Sequence, residues 1–330
     1  MHLKGFLLFW LLLITPYSLA STPDNNAVNA ARAQQSETIV FTKAFSGDDY
    51  GRYHIDVLRE ALAITRDDNI TETLRPHPLE LTQSRQIKLL QADKADVMWS
   101  VTSDELETSL IPVRFPLLQG FGGQRVLAIA PRRQASLPAT MSIERVKQFP
   151  SVQGGDWPDY HILSAHKFNV AGAPWSSWYM AMYKMVERDM VTYFPRNIIE
   201  VHRDLAHHHS LQVVVEQNHL LSYPSYEYFF VNPSRPELAK RLKKGLLKLL
   251  ATGQLKTKFE AIPEHRKAQR VLKEQNRVVH QLSNPILSYQ WASPHWASTP
   301  DASYKEFSQR FSQPLSHPAT TVPAPQDPYR

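Results

Sequence analysis

The stretch ADVMWSVT, residues 95–102, ends an apolar run in an indole and two hydroxyls: Trp99, Ser100 and Thr102. An aromatic face beside groups that both donate and accept hydrogen bonds suits recognition of a small molecule better than bond cleavage. Similar side chains recur at other turns. Phe45 and Tyr50 flank SGDD, Asp156 and Trp157 follow the pair Gly154-Gly155, and Tyr193 and Arg196 lie in and just after MVTYFP. Rings flanked by a few polar groups fit sugars, aromatic molecules or amines, and Arg196 is placed to meet an anionic group. A structural role stays open to each. Trp99 can be core, Ser100 and Thr102 can cap a helix starting near Asp104, and SGDD can be a surface turn.

Several chemistries have no support in the sequence. There is no G-x-S-x-G, no H-E-x-x-H and no phosphate loop. With no cysteine, disulfides and thiolate nucleophiles are excluded. Glu105 and Glu107 would diverge on a helix, which makes them a poor acid/base pair. His202 and the run His207–His209 point in different directions on a helix, so no structured metal site is expected. The formal net charge of +6 is spread along the chain without an arginine-rich run, so nucleic acid is not expected as a partner.

The elements that must position these residues alternate. ETIVFTKAF (37–45), the extended ETLRPHPLEL (72–81) and ADVMWSV (95–101) read as strands, the second suited to an edge by its prolines. HIDVLREALAIT (54–65) and QSRQIKLLQAD (83–93) between them read as amphipathic helices. Strand–helix–strand order implies parallel pairing through right-handed crossovers. The extended segment 112–131 breaks the rhythm, and a second alternating set follows to LQVVVE (211–216). A second extended segment, YPSYEYFFVN (223–232), leads into helices expected over 236–259 and 264–282. Lys240, Arg241, Lys243, Lys244 and Lys248 form a wet face opposite Leu238, Leu242, Leu246 and Leu249, which reads as domain packing.

A chain of 330 residues with 42% hydrophobic residues can build about two domains. Residues 1–20 have a basic start at Lys4, a short apolar run and Ser18 and Ala20 before the expected cut, the layout of a secretory signal peptide. Residues 21–36 read as a disordered leader and 298–330 as a disordered tail. The division expected between them is a discontinuous first lobe, 37–121 plus 224–297, and a second lobe, 122–223. Trp99, Ser100 and Thr102 would then face an interlobe cleft, since ligands of open α/β sheets sit at strand carboxyl ends.

GRYHIDVLREAL, ADVMWSVTSDELETSLIPVRFPLL and KGLLKLLATGQLKTKF, in that order, resemble the helix start, strand-and-crossover and closing helix of type II periplasmic solute-binding proteins of the amino-acid-binding class. The resemblance covers roughly 37–262 and implies a two-lobed α/β fold with two crossover segments, no cofactor and no enzymatic activity. It further implies a monomer in the periplasm that closes on a small-molecule solute and serves an ABC transporter permease. Two departures stand out. The ligand-gripping arginine of that class is replaced at Ser103-Asp104-Glu105-Leu106 by Leu106, and its ammonium-binding aspartate by Tyr193 or Phe194. An ordinary free amino acid is therefore not the expected ligand. The departures leave open a sensory module signalling to a membrane receptor, and the wider superfamily a dehydratase-like enzyme.

Overall fold

The computed structural model describes residues 35–44, 50–67, 70–174, 178–207, 209–274, 276–291 and 296. The expected signal peptide 1–20, the tail 298–330 and Phe45 lie outside the described residues, as does all of the expected leader but its last two positions. Those two, Gln35 and Ser36, already belong to strand β1 (Gln35–Phe41).

β1 lies parallel to β2 (Ile70–Pro76) and to β3 (Val97–Val101), as the alternation predicts. Helix Arg52–Ala63 joins β1 to β2, and helix Gln83–Gln91 joins β2 to β3. The chain continues through β4 (Ile111–Val113) to β5 (Gln124–Ile129), which begins a second sheet. That sheet gains β6 (Ser151–Gly154), β7 (Val170–Ala173), β8 (Tyr193–Asn197), β9 (Val214–Val215) and β10 (His219–Ser222). β11 (Glu227–Val231) returns to the first sheet, which runs β2-β1-β3-β11-β4. β2 and the proline-bearing β4 take its edges, where a missing or unsatisfied ladder group is tolerated.

Each sheet is buried by side-chain alternation. In β5, Val126 and Ala128 join the larger core while Leu127 and Ile129 face a second cluster with Val146, Ile162 and Leu163. Val97 and Met98 are fully buried on opposite faces of β3. The leucine face of Pro236–Ala251 packs against Arg52–Ala63 so closely that Gly245 meets the backbone of Ala61.

Two expectations about the C-terminal third are corrected. The helix expected over 236–259 breaks at Gly253, whose φ of 72° starts a new helix, Gln254–Ala261. The helix expected over 264–282 stops at Lys273, and 278–281 forms strand β12 instead. β12 runs parallel to β10, so this stretch joins the second sheet, not the first lobe. Long-range bonds decide it: Val278 N donates to Asn218 O at 2.7 Å, and the His219 and His280 rings are hydrogen-bonded at 2.9 Å.

After β12 the chain crosses back. Asp104 N donates to Ile286 O, Tyr289 OH donates to Glu107, and Trp291 Nε1 donates to Tyr228 OH. Trp296 Nε1 donates to Pro116 O, so two buried indoles pin this strap to the first lobe. Residues 282–288 thus add a further passage between the sheets to the two extended segments expected from sequence.

Candidate functional site

Between the sheets lie two adjoining cavities of about 130 and 420 Å³. Parallel-strand carboxyl ends feed them, as the strand-end rule anticipates. Trp99 and Ser100 come from the end of β3, Trp157 follows β6, and Arg196 and Asn197 end β8 just before Glu200 opens helix Glu200–His207. Four residues line both cavities: Tyr50, Trp99, Glu200 and Glu227.

Trp99 is 9% exposed. Its indole stacks on His54 with ring centres 5.3 Å apart and planes 3° from parallel, while Phe41 tilts against it at 6.2 Å. Gly51 packs on the indole where a side chain would collide. Ser100 is half-buried on the smaller cavity, its hydroxyl donating to Val101 O at 3.2 Å. Tyr50 carries the guanidinium of Arg203 at 4.9 Å from its ring centre, an aromatic–cation contact spanning the two lobes. Burial pushes the Tyr50 hydroxyl upward in pKa; Arg203 opposes this, and Glu200 and Glu227 add to it. Trp157 has Arg196 at 5.3 Å from its ring centre.

The arginines are held by acids of the second lobe. Arg196 Nε donates to Asp204 at 2.7 Å, and its Nη1 lies 2.8 Å from Glu200. Asp204 also accepts from Tyr183 OH at 3.0 Å and Arg203 at 3.2 Å. Burial raises the Asp204 carboxyl, but Arg196 and Arg203 outweigh it and hold the group below the usual carboxylate range. Arg125 Nε and Nη2 both lie 2.8 Å from Asp159 Oδ1, which also accepts from Tyr223 OH. Glu227 has a different neighbour: the imidazole Nε2 of His54 at 3.3 Å.

Some expected site residues stand elsewhere. Thr102 is fully buried and spends its hydroxyl on Glu107 Oε1 at 2.6 Å, serving the first-lobe core. Tyr193 is fully buried on the far face of the second sheet and donates to Val146 O at 3.1 Å. The alternation of β8 sends Phe194 and Arg196 toward the other face. Asp156 is exposed and lines neither cavity. Arg196 is at the wall, but bound to Asp204 and Glu200 instead of open to an anion. Sequence reasoning passed over Glu200, Glu227, His54, Arg125, Asp159 and Arg203. Glu227 left one signal, a lone acid in the aromatic strand EYFFV; Arg125 and Asp159 are 34 positions apart and left none.

Among the described residues, no group of His, Asp or Glu is arranged to hold a metal ion, and no helix is long and apolar enough to cross a membrane.

No family model matches the chain, and no curated protein matches it. Solved structures do. The probable amino-acid ABC transporter extracellular-binding protein ytmK from Bacillus subtilis superposes with a TM-score of 0.53 at 14% identity, covering 70% of this chain and 98% of that one. An ancestral arginine-binding protein bound to arginine gives 0.51 at 15%, covering 68% and 97%. A histidine kinase sensor domain with similarity to periplasmic binding proteins gives 0.50 at 13%, covering 69% and 96%. The chain has the two-lobed type II periplasmic-binding-protein fold. Within that fold, the cavities occupy the gap between the two sheets, and residues 282–291 follow the last strand of the second.

Proposed function

We propose that this protein is a periplasmic solute receptor that closes its two lobes over a small polar or aromatic molecule and delivers it to a membrane partner. The observation that carries this reading is the shared wall of the two cavities. Tyr50, Trp99 and Glu227 come from the first lobe and Glu200 from the second. A solute touching all four would bind the closed arrangement better than an open one, and that difference in affinity shifts the equilibrium toward closure. The cavity pair has the character of a small-molecule site, with aromatic walls and a few converging polar groups. The ligand-binding residues we assign are Tyr50, Trp99, Ser100, Trp157, Glu200 and Glu227.

Thermal-shift screening of the protein against sugars, amines, aromatic acids and amino-acid derivatives tests this directly. At a hundred times Kd, a closing ligand stabilises the fold by about 2.7 kcal/mol, an easily read rise in melting temperature. Trp157→Ala should abolish that rise while the variant stays folded, because Trp157 is only half-buried. A well-folded protein that answers no solute in the panel sinks the proposal. Cross-linking in cells then sorts the partner: an uptake role captures a transporter permease, a sensing role a receptor or kinase.

A further inference from the structure

The inventory of charge around the site is uneven in a way that selects a solute class. Arg125 is matched by Asp159. Arg196 and Arg203 are matched by Asp204 and Glu200. Glu227 is left over. Its side chain is 16% exposed, it lines both cavities, and the counter-group the structure gives it is an imidazole. That imidazole Nε2 lies 3.3 Å from the carboxylate without the alignment of a hydrogen bond. The rim adds an exposed arginine, Arg52, and a half-buried acid, Glu264, one charge of each sign. A carboxylate on a cavity wall without a permanent counter-charge gains by pairing with a ligand cation.

The second observation is the geometry of His54 itself. It lies flat on the Trp99 indole, 3° from parallel, with its nitrogen toward Glu227. A planar cation placed on an indole and against a carboxylate would adopt this same arrangement. The wall therefore sets an acid beside an indole whose face His54 covers, with Tyr50, under the Arg203 guanidinium, next to them. An anionic solute would find its arginines already bound to buried acids.

We propose that the solute is a small organic cation, an ammonium or guanidinium compound, with its charge set against Glu227 at the wall the two cavities share. This rests on the receptor reading above and narrows it to one ligand chemistry.

A charge series on one body tests it. Tryptamine, tryptophol and indole-3-acetate share an indole and differ in carrying a cation, a neutral hydroxyl and an anion. Choline and its neutral isostere 3,3-dimethyl-1-butanol repeat the contrast without an aromatic ring. Calorimetric titration of the full chain should show at least one cation binding tenfold or more tighter than its neutral partner, with indole-3-acetate weakest. In Glu227→Gln that preference should fall below about threefold. The wild-type series stands by itself if the variant fails to fold. Neutral or anionic members binding as tightly as the cations overturns the inference, and so does a cation preference that survives in folded Glu227→Gln. If the wider solute panel yields only neutral or anionic ligands, the cation assignment falls and the receptor reading stands. If nothing binds, both fall.

Discussion

Gly51→Ala probes the support of the site more sharply than any change at the wall. Gly51 precedes helix Arg52–Ala63 with φ 73° and ψ 8°, a left-handed conformation that costs a side-chain-bearing residue about 1 kcal/mol or somewhat more. A Cβ there would lie 3.0 Å from Trp99 Cη2 and closer still to Cζ2. The indole has little room to retreat, with His54 stacked on it at 5.3 Å and Phe41 tilted against it at 6.2 Å. Overpacking of this kind costs about 1–3 kcal/mol. Restricting the unfolded chain by replacing glycine returns about 0.4–1 kcal/mol. The net loss should be about 1–4 kcal/mol, read as a lower urea midpoint with an unchanged m-value, together with altered tryptophan emission. A double-mutant cycle separates the two causes. In a Trp99→Ala background the collision is gone, so Gly51→Ala should cost only the backbone strain less the unfolded-chain gain, about 0–1 kcal/mol. Equal costs in both backgrounds, or a Gly51→Ala protein as stable as the wild type, would refute the reasoning.

Three further outcomes follow from the packing and the charges. Gly245→Ala should destabilise despite a helix-propensity gain of about 1 kcal/mol, because its Cβ would sit 2.7 Å from the carbonyl carbon of Ala61 and overpacking against backbone outweighs propensity; an unchanged or raised urea midpoint would contradict this. Asp204→Asn leaves Arg196 and Arg203 without their shared acid inside the protein, so a loss of about 3–5 kcal/mol is expected in chemical denaturation, and a loss below 1 kcal/mol would show the acid to be dispensable. His265 gives a pH signature: burial, aided by His54, pulls its pKa down to about 3, even though its Nδ1 donates to Phe259 O. The unfolded chain takes up this proton near pH 6.5 and the folded protein does not, so stability falls as pH drops through that window. By pH 5 the contribution of His265 is a loss of about 2 kcal/mol, which His265→Asn should remove from the pH profile; an identical pH slope in that variant would count against the assignment.

Much of the first lobe could be read along the chain. The apolar centre of ETIVF, the helical spacing in HIDVLREAL and the buried run DVMW each report their own burial, because periodicity is a local property. The same signal misled at 264–282, where a helical rhythm runs past Lys273 although Val278–Gln281 is a strand. Pairing with His219–Ser222, some sixty positions earlier, decides that stretch, and no local window contains it. At the site, Trp99 was legible from its place at a strand end. Thr102 was misplaced because one hydroxyl suits a ligand or a buried carboxylate equally well, and Glu107 claims it only once the chain has folded.

From the sequence alone came the alternation of strands and helices, the crossing from one lobe to the next, and the aromatic, cysteine-free character of the candidate site. These depend on side-chain type and short-range spacing. The tertiary structure decided which charges are spent and which remain. Arg125 finds Asp159 and Arg196 finds Asp204 inside the second lobe, while Glu227 meets an imidazole at the gap. Electrostatic balance depends on distance and burial in space, and neither is fixed by separation along the chain.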